Sequence, residues 1–154
     1  MADYASRHII EALRSGWITT GPRVKQLERE LAGYLGVPAD VPNCVCLNSQ
    51  TACSEGVLRL LGIGPGDEVI TTAYTYTATA AVVCHVGATL VLVDSQPDVP
   101  IMDYDALERA VTERTKAVIP VDLGGVPCDY DRIHAILEQK KHLFHPANPL
   151  QARR

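Results

Sequence analysis

Four short stretches carry the residue types that could do chemistry, and each follows a run apolar enough to be a strand. They are Asn48-Ser49-Gln50-Thr51-Ala52, Thr72-Ala73-Tyr74-Thr75-Tyr76, Asp94-Ser95-Gln96 and Asp122-Leu123-Gly124-Gly125. Ligands of open α/β sheets bind beyond the carboxyl ends of the strands, which makes these the positions to inspect. The first stretch leads straight into a helical pattern. Small and hydroxyl residues there leave backbone N–H groups accessible where the helix dipole favours an anion, so 49–52 reads as a phosphate cradle; the alternative is that Ser49 only caps the helix. The second stretch holds two tyrosines, Tyr74 and Tyr76, in a chain with 5% aromatics. A ring beyond a strand end either stacks on a planar heterocycle or plugs the top of the core. Asp94 and Asp122 end two strand-like runs in the same position. Each carboxylate either pairs with a cationic ring nitrogen or a substrate hydroxyl, or caps the next turn.

Other chemical signals are better explained by structure. Gly62, Gly64 and Gly66 form a glycine-rich string, but it precedes a strand, the wrong context for a dinucleotide loop. His142 and His145 have no carboxylate or cysteine at ligand spacing and read as solvent-exposed. Cys53 lies one turn into the helix after the cradle with no His or second Cys beside it, which favours a structural thiol. The five cysteines, Cys44, Cys46, Cys53, Cys84 and Cys128, are odd in number and dispersed among apolar neighbours, as reduced core thiols would be. No metal site is expected.

The elements that must position these residues follow from periodicity. Tyr4 to Arg14 places Ile9, Ile10 and Leu13 at helical spacing and stops at Ser15-Gly16. After the loop GWITTGP, Pro22 opens a second helix whose Val24, Leu27, Leu31, Tyr34 and Leu35 form an apolar stripe, a packing surface that stops near Gly36 and Pro38. From Asn43 the pattern becomes four strand-like runs, at 44–47, 68–71, 89–94 and 117–122. Helical segments at 50–62, 76–86, 103–114 and 129–142 separate them, lengths suited to crossovers between parallel strands. Val91, Leu92 and Val93 stand consecutively, as expected where helices cover both faces of a sheet. The tail HLFHPANPLQARR adds no strand, so a sheet that would ordinarily continue is left with an edge, which suggests a piece of a larger fold.

Composition sets outer limits. The 154 residues suffice for one domain, and 47% hydrophobic with 21% charged residues describes a globular chain. The net charge of -4, with Lys and Arg scattered ahead of Arg153-Arg154, argues against nucleic-acid binding. No apolar stretch has signal-peptide form or the roughly 20 residues that span a bilayer, so a cytoplasmic protein with no membrane partner is expected.

The succession SGWITTGPRVKQLEREL, LNSQTAC, LLGIGPGDEVITTAYTYTATAAVVCHVGATLVLVD and MDYDALERAVTERTKAVIPVDLGGVPCDYDRI resembles the N-terminal part of the DegT/DnrJ/StrS family, up to about residue 143. These are pyridoxal-phosphate-dependent aminotransferases that act mostly on keto groups of nucleotide-linked sugars. The resemblance implies an α/β fold, part of the three-layer α/β/α large domain of the fold-type I transferases with a mostly parallel sheet. It divides the chain into N-terminal helices and an active-site loop (1–37), a partial cofactor-binding domain (38–143) and an irregular tail (144–154). It implies pyridoxal 5'-phosphate as cofactor, a keto-sugar nucleotide and an amino-acid donor as substrates, and a homodimer.

Residue by residue, the family's Ser-Gly-Thr-Ala phosphate loop falls on Ser49, Gln50, Thr51 and Ala52. Gln50 replaces the frequent glycine and would be strained if the position needed a positive φ. The aromatic that stacks on the pyridine ring falls on Tyr76, and Thr19 and Thr20 match a segment near the family's active site. The Schiff-base lysine and the acidic partner of the pyridinium nitrogen are expected beyond residue 154, leaving no catalytic residue here and Asp122 only a possible site residue. Lys25, Lys116, Lys140 and Lys141 do not follow a strand at the ligand end. The chain is therefore expected to be the N-terminal part of such an enzyme and inactive alone. The alternative is a non-catalytic cofactor-binding or dimerising fragment that associates with a full-length homologue.

Overall fold

The computed structural model describes residues 2–37 and 44–153, which fall in two compact units, Met1–Asn48 and Ser49–Arg154. In the first unit, helix α1 (Ala2–Arg14) ends at Gly16, whose φ of +69° supplies the left-handed turn a side chain would oppose. Helix α2 (Pro22–Tyr34) opens with proline in its first turn, where no N–H is needed. Arg23 fastens the two helices by donating to Glu11 Oε2 at 3.3 Å, with His8 Nδ1 3.1 Å from its other terminal nitrogen. The apolar stripe of α2 is only partly used for packing: Ala32 is buried, but Leu27, Leu31, Tyr34 and Leu35 are exposed. Pro38, expected beside the end of α2, lies outside the described residues, as does the segment at the expected 37/38 boundary.

The run at 44–47 does not become the fourth strand its composition suggested. A strand needs a neighbour for its backbone groups, and here the Cys46 N–H donates to the Glu28 carboxylate at 2.9 Å. The apolar alternation is present in the sequence, but the ladder is not formed.

The second unit is a three-stranded parallel sheet in the order β2-β1-β3, from β1 (Glu68–Thr72), β2 (Thr89–Val93) and β3 (Thr115–Ile119). Helix α3 (Gln50–Leu60) precedes β1, α4 (Thr77–His85) joins β1 to β2, α5 (Tyr104–Ala110) joins β2 to β3, and α6 (Tyr130–Gln139) follows. The third strand starts two residues earlier than expected and stops before Pro120, which has no N–H to give the ladder. Val69 and Ile70 on β1 point to opposite faces and are both fully buried. Val69 packs with Leu58, Ile63, Val82, Val83 and Val86 of the α3–α4 layer, and Ile70 with Met102, Leu107, Ile133 and Ile136 of the α5–α6 layer. Each such aliphatic side chain contributes about 1.5–3 kcal/mol on burial. Helices on both faces make the three layers expected for this fold class.

The amino end of the sheet is closed by polar groups. Glu68 is buried and takes hydrogen bonds from Arg114 (2.9 and 2.6 Å) and from the Thr112 hydroxyl. Beside it the tail folds back onto the turn before β1. Gln151, 1% exposed, donates to Asp67 Oδ2 (2.8 Å) and the Gly62 carbonyl (3.0 Å), and Asn148 donates to the same carbonyl at 2.7 Å. Asp67 also accepts the Gly64 N–H at 3.0 Å.

Candidate functional site

The chain runs from β1 outward to β2, then back across β1 to β3, and the helices leaving β1 and β3 lie on opposite faces. A reversal of this kind opens a crevice beyond the carboxyl ends of the two strands between which it falls, here β1 and β3. The loops at that end are 73–76 and 120–125.

The N-terminus of α3 joins them. Glu55 and Arg59 hold the C-terminal end of α4, with Glu55 Oε2 2.9 Å from His85 Nδ1 and Arg59 donating to the His85 carbonyl at 3.3 Å. Helices pinned at their C-terminal halves run alongside one another, so α3 begins at the end of the sheet where α4 begins. The first intrahelical bond of α3 runs from Cys53 N–H to the Ser49 carbonyl at 3.1 Å, leaving the Gln50 and Thr51 N–H groups directed out of the helix end. Ser49 caps the helix, accepting the Ala52 N–H at 3.1 Å. Capping by Ser49 therefore leaves the Gln50 and Thr51 N–H groups without intrahelical partners. Gln50 introduces no strain: none of the described residues other than glycine has a positive φ, and its amide lies along the helix, donating to Ser54 Oγ at 2.6 Å.

Tyr76 stands immediately before α4 with its carbonyl accepting the Thr79 N–H at 3.0 Å, and its side chain is 81% exposed. Tyr74 is also exposed. Neither ring plugs the core, which disposes of the packing alternative for this loop. The backbone beneath is fixed by Ala73 N–H donating to the Val93 carbonyl at 2.8 Å and by the Thr75 and Thr79 hydroxyls, 3.0 Å apart.

Asp94 and Asp122 do not occupy equivalent positions. Asp94 directly follows β2 and accepts the Ser95 N–H at 2.8 Å, whereas Asp122 stands three residues beyond β3. The Asp122 carboxylate accepts the Cys128 N–H at 2.9 Å and the Tyr130 hydroxyl at 3.0 and 3.2 Å. The Cys128 N–H foremost, with the Tyr130 hydroxyl, holds its pKa below the ordinary value, against a smaller opposing effect of burial. Asp122 thus clasps the Gly124–Gly125 loop, both of whose glycines have positive φ, onto the start of α6. Tyr130 is the residue that sequence reasoning missed here. Burial raises the Cys128 thiol pKa, so this cysteine stays protonated and is a poor nucleophile.

In the first unit, Thr19 and Thr20 sit in a built loop. The Trp17 indole N–H donates to the Thr20 carbonyl at 3.0 Å, and the ring lies on Gly21, where an added Cβ would come within 2.2 Å of it. Thr19 lines a cavity of about 400 Å³ on one side of the loop, and Thr20 one of about 330 Å³ on the other. No helix of the described residues is long and apolar enough to cross a membrane, and no cluster of potential metal ligands occurs among them.

A helix N-terminus with two N–H groups left without intrahelical partners and an exposed aromatic ring thus stand at the same end of the three-layer α/β/α sheet. The fold matches PLP-dependent aminotransferase structures. Residues 2–144 match the DegT/DnrJ/EryC1/StrS aminotransferase family, to which the chain belongs. It is 44% identical over 132 residues to the spore coat polysaccharide biosynthesis protein SpsC of Bacillus subtilis, which covers 86% of this chain and 33% of SpsC. The PMP form of Spr1654, a sugar-aminotransferase candidate of Streptococcus pneumoniae, superposes with a TM-score of 0.87 at 52% identity, over 94% of this chain and 35% of Spr1654. Its PLP form gives 0.86. DesV of S. venezuelae gives 0.79 at 34% identity, over 94% of this chain and 37% of DesV. The chain thus spans about a third of the length of these relatives.

Proposed function

We infer that this chain forms the phosphate and ring contacts of a PLP-dependent aminotransferase that transfers an amino group from an amino-acid donor, such as glutamate, to a keto-sugar nucleotide. The observation that carries this is the pairing of the α3 N-terminus with Tyr76 at one end of the sheet. Bound there, the cofactor would supply an electron sink for the carbon that gains or loses the amino group. The N–H groups of Gln50 and Thr51 and the hydroxyls of Ser49 and Thr51 bind the phosphate, the helix dipole adds to its charge stabilisation, and Tyr76 covers one face of the ring. Asp122 and Tyr130 fix the 122–128 loop onto the start of α6, and the family resemblance implies a substrate-side role for Thr19 and Thr20.

The residues that move protons at the reacting carbon are not among these. Lys116 starts β3, its Nζ engaged by the Glu113 and His145 carbonyls at 2.7 and 2.8 Å, and Lys140 and Lys141 follow α6. Within their unit all three stand at the end of the sheet remote from Tyr76, which supports the reading that none of them holds the cofactor.

Equilibrium dialysis with pyridoxal phosphate tests this. Binding is expected to be competed by inorganic phosphate and weakened roughly tenfold by Thr51→Val and by Tyr76→Ala. Borohydride should leave no lysine stoichiometrically labelled, and no transamination should be seen. Binding indifferent to both substitutions would reject the site, and one labelled lysine with turnover would reject the missing-lysine assignment.

A further inference from the structure

The two helices that present the Gln50 and Thr51 N–H groups and Tyr76, α3 and α4, are held against each other in two ways. Leu58 of α3 packs with Val82, Val83 and Val86 in a buried apolar layer. The second hold is a closed ring of polar contacts at the C-terminal end of α4. Glu55 Oε1 accepts from Arg59 Nε at 2.9 Å and from Arg59 Nη2 at 2.8 Å, and Glu55 Oε2 lies 2.9 Å from His85 Nδ1. Arg59 also donates to the His85 carbonyl at 3.3 Å. A carboxylate only accepts, so Nδ1 is the donor to Glu55.

The members of this ring answer differently to pH. Arg59 foremost, then His85, holds the Glu55 carboxyl below its ordinary value, so Glu55 and Arg59 both stay charged between pH 5 and 8. Imidazole is the side chain that changes charge in that range. Protonation of His85 turns its hydrogen bond to Glu55 into an ion pair, and His85 lies in the last turn of α4, where the helix dipole also favours a cation. The opposing charge is Arg59, whose guanidinium is already turned onto Glu55. The carboxylates at the same end of β1 are taken, Asp67 by Gly64 and Gln151, and Glu68 by Thr112 and Arg114. Strand β2 carries no ionisable residue, and beside His85 on α4 stands the exposed Cys84 thiol.

We propose that His85 is a positioning residue whose protonation draws α4 onto α3 and so fixes the gap between the Gln50 and Thr51 N–H groups and Tyr76. This rests on the cofactor reading above and adds to it a proton-dependent control exerted from the far end of the two helices. His85 stands nine residues beyond Tyr76, about 13 Å along the helix, and acts only through the relative setting of α3 and α4. The apolar layer holds the helices together at any pH, so the effect is graded, roughly threefold, the size an exposed ion pair commands.

Two measurements on the full chain test this. Without ligand, the backbone amide resonances of Ala52 and Thr77 should titrate between pH 5 and 8 with the midpoint of the His85 ring protons, and should cease to do so in His85→Gln and in Glu55→Gln. His85 is exposed, so its variants should keep the circular dichroism of the parent. With pyridoxal phosphate, the ratio of the dissociation constant at pH 8 to that at pH 6 should be roughly threefold larger for the parent than for His85→Gln, the ligand's own ionisation entering both ratios alike. His85→Lys, cationic throughout, should bind more tightly than His85→Gln by the same factor at both pH values, whereas a merely structural histidine would leave the parent's pH ratio equal to that of His85→Gln. Amide resonances that do not follow the His85 midpoint, or equal ratios in parent and His85→Gln, overturn the inference and leave the cofactor reading standing wherever pyridoxal phosphate binds. Resonances that follow His85 in a chain that binds no pyridoxal phosphate support the proton-dependent clasp and reject the cofactor reading alone.

Discussion

Glu68 and Gly21 show how single residues set the limits of this molecule. Burial of the Glu68 carboxyl acts to raise its pKa, but the Thr112 hydroxyl and the Arg114 guanidinium together outweigh it, and the net shift is below the usual 4.5. A depressed carboxylate stabilises the fold above its unfolded pKa, and that contribution disappears as pH falls through the folded value. Melting temperature followed from pH 7 into the acid range should therefore drop steeply below about pH 4.5, and Glu68→Gln should flatten that limb while lowering stability at neutral pH. Gly21 has extended backbone, so any residue could adopt its φ of -169°; it is glycine because the indole occupies the space of a Cβ. Gly21→Ala should push Trp17 into water, seen as a red shift of its emission, and cost about 1–3 kcal/mol in a denaturant titration. Neither constraint is visible in the sequence, because both partners are brought together only by folding. By contrast, the helix cap of Ser49 and the positions of Thr51 and Tyr76 were legible, since a helix start and a strand end are local patterns.

Among the elements, those with strong periodicity were readable to within a few residues, as α2, α3, α4 and β1 show. The failures have physical causes. Residues 44–47 alternate like a strand but form no ladder among the described residues, the Cys46 N–H going to Glu28 instead, and β3 ends early because Pro120 cannot join the ladder. The tail at 144–153 looked merely irregular because its order comes from long-range polar contacts, not from propensity. Gln151→Ala should leave the buried Asp67 and the Gly62 carbonyl short of a donor and lower unfolding free energy by about 1–3 kcal/mol, read from the urea midpoint. An unchanged midpoint would mean the tail contributes nothing to the second unit.

For the whole molecule, the alternation of strand-like and helical runs gave the α/β class and the family resemblance its three-layer form, whereas the strand order β2-β1-β3 was not legible in the sequence. Large apolar side chains are nonetheless exposed in both units, including Ile9, Leu13, Leu35, Val57 and Leu60. Surfaces of this kind are seldom left open in isolated monomers. Sedimentation velocity should show a weight-average mass that rises with protein concentration, and a strictly monomeric profile would contradict this. The polar lock of Glu68, Asp67 and Gln151 at one end of the sheet has a further consequence, because Tyr76 and the α3 N-terminus stand at the other. The groups that brace this unit and the loops that stay open therefore lie at opposite ends of one sheet, so substitutions that strengthen the lock can accumulate, and raise heat tolerance, without altering the exposed end.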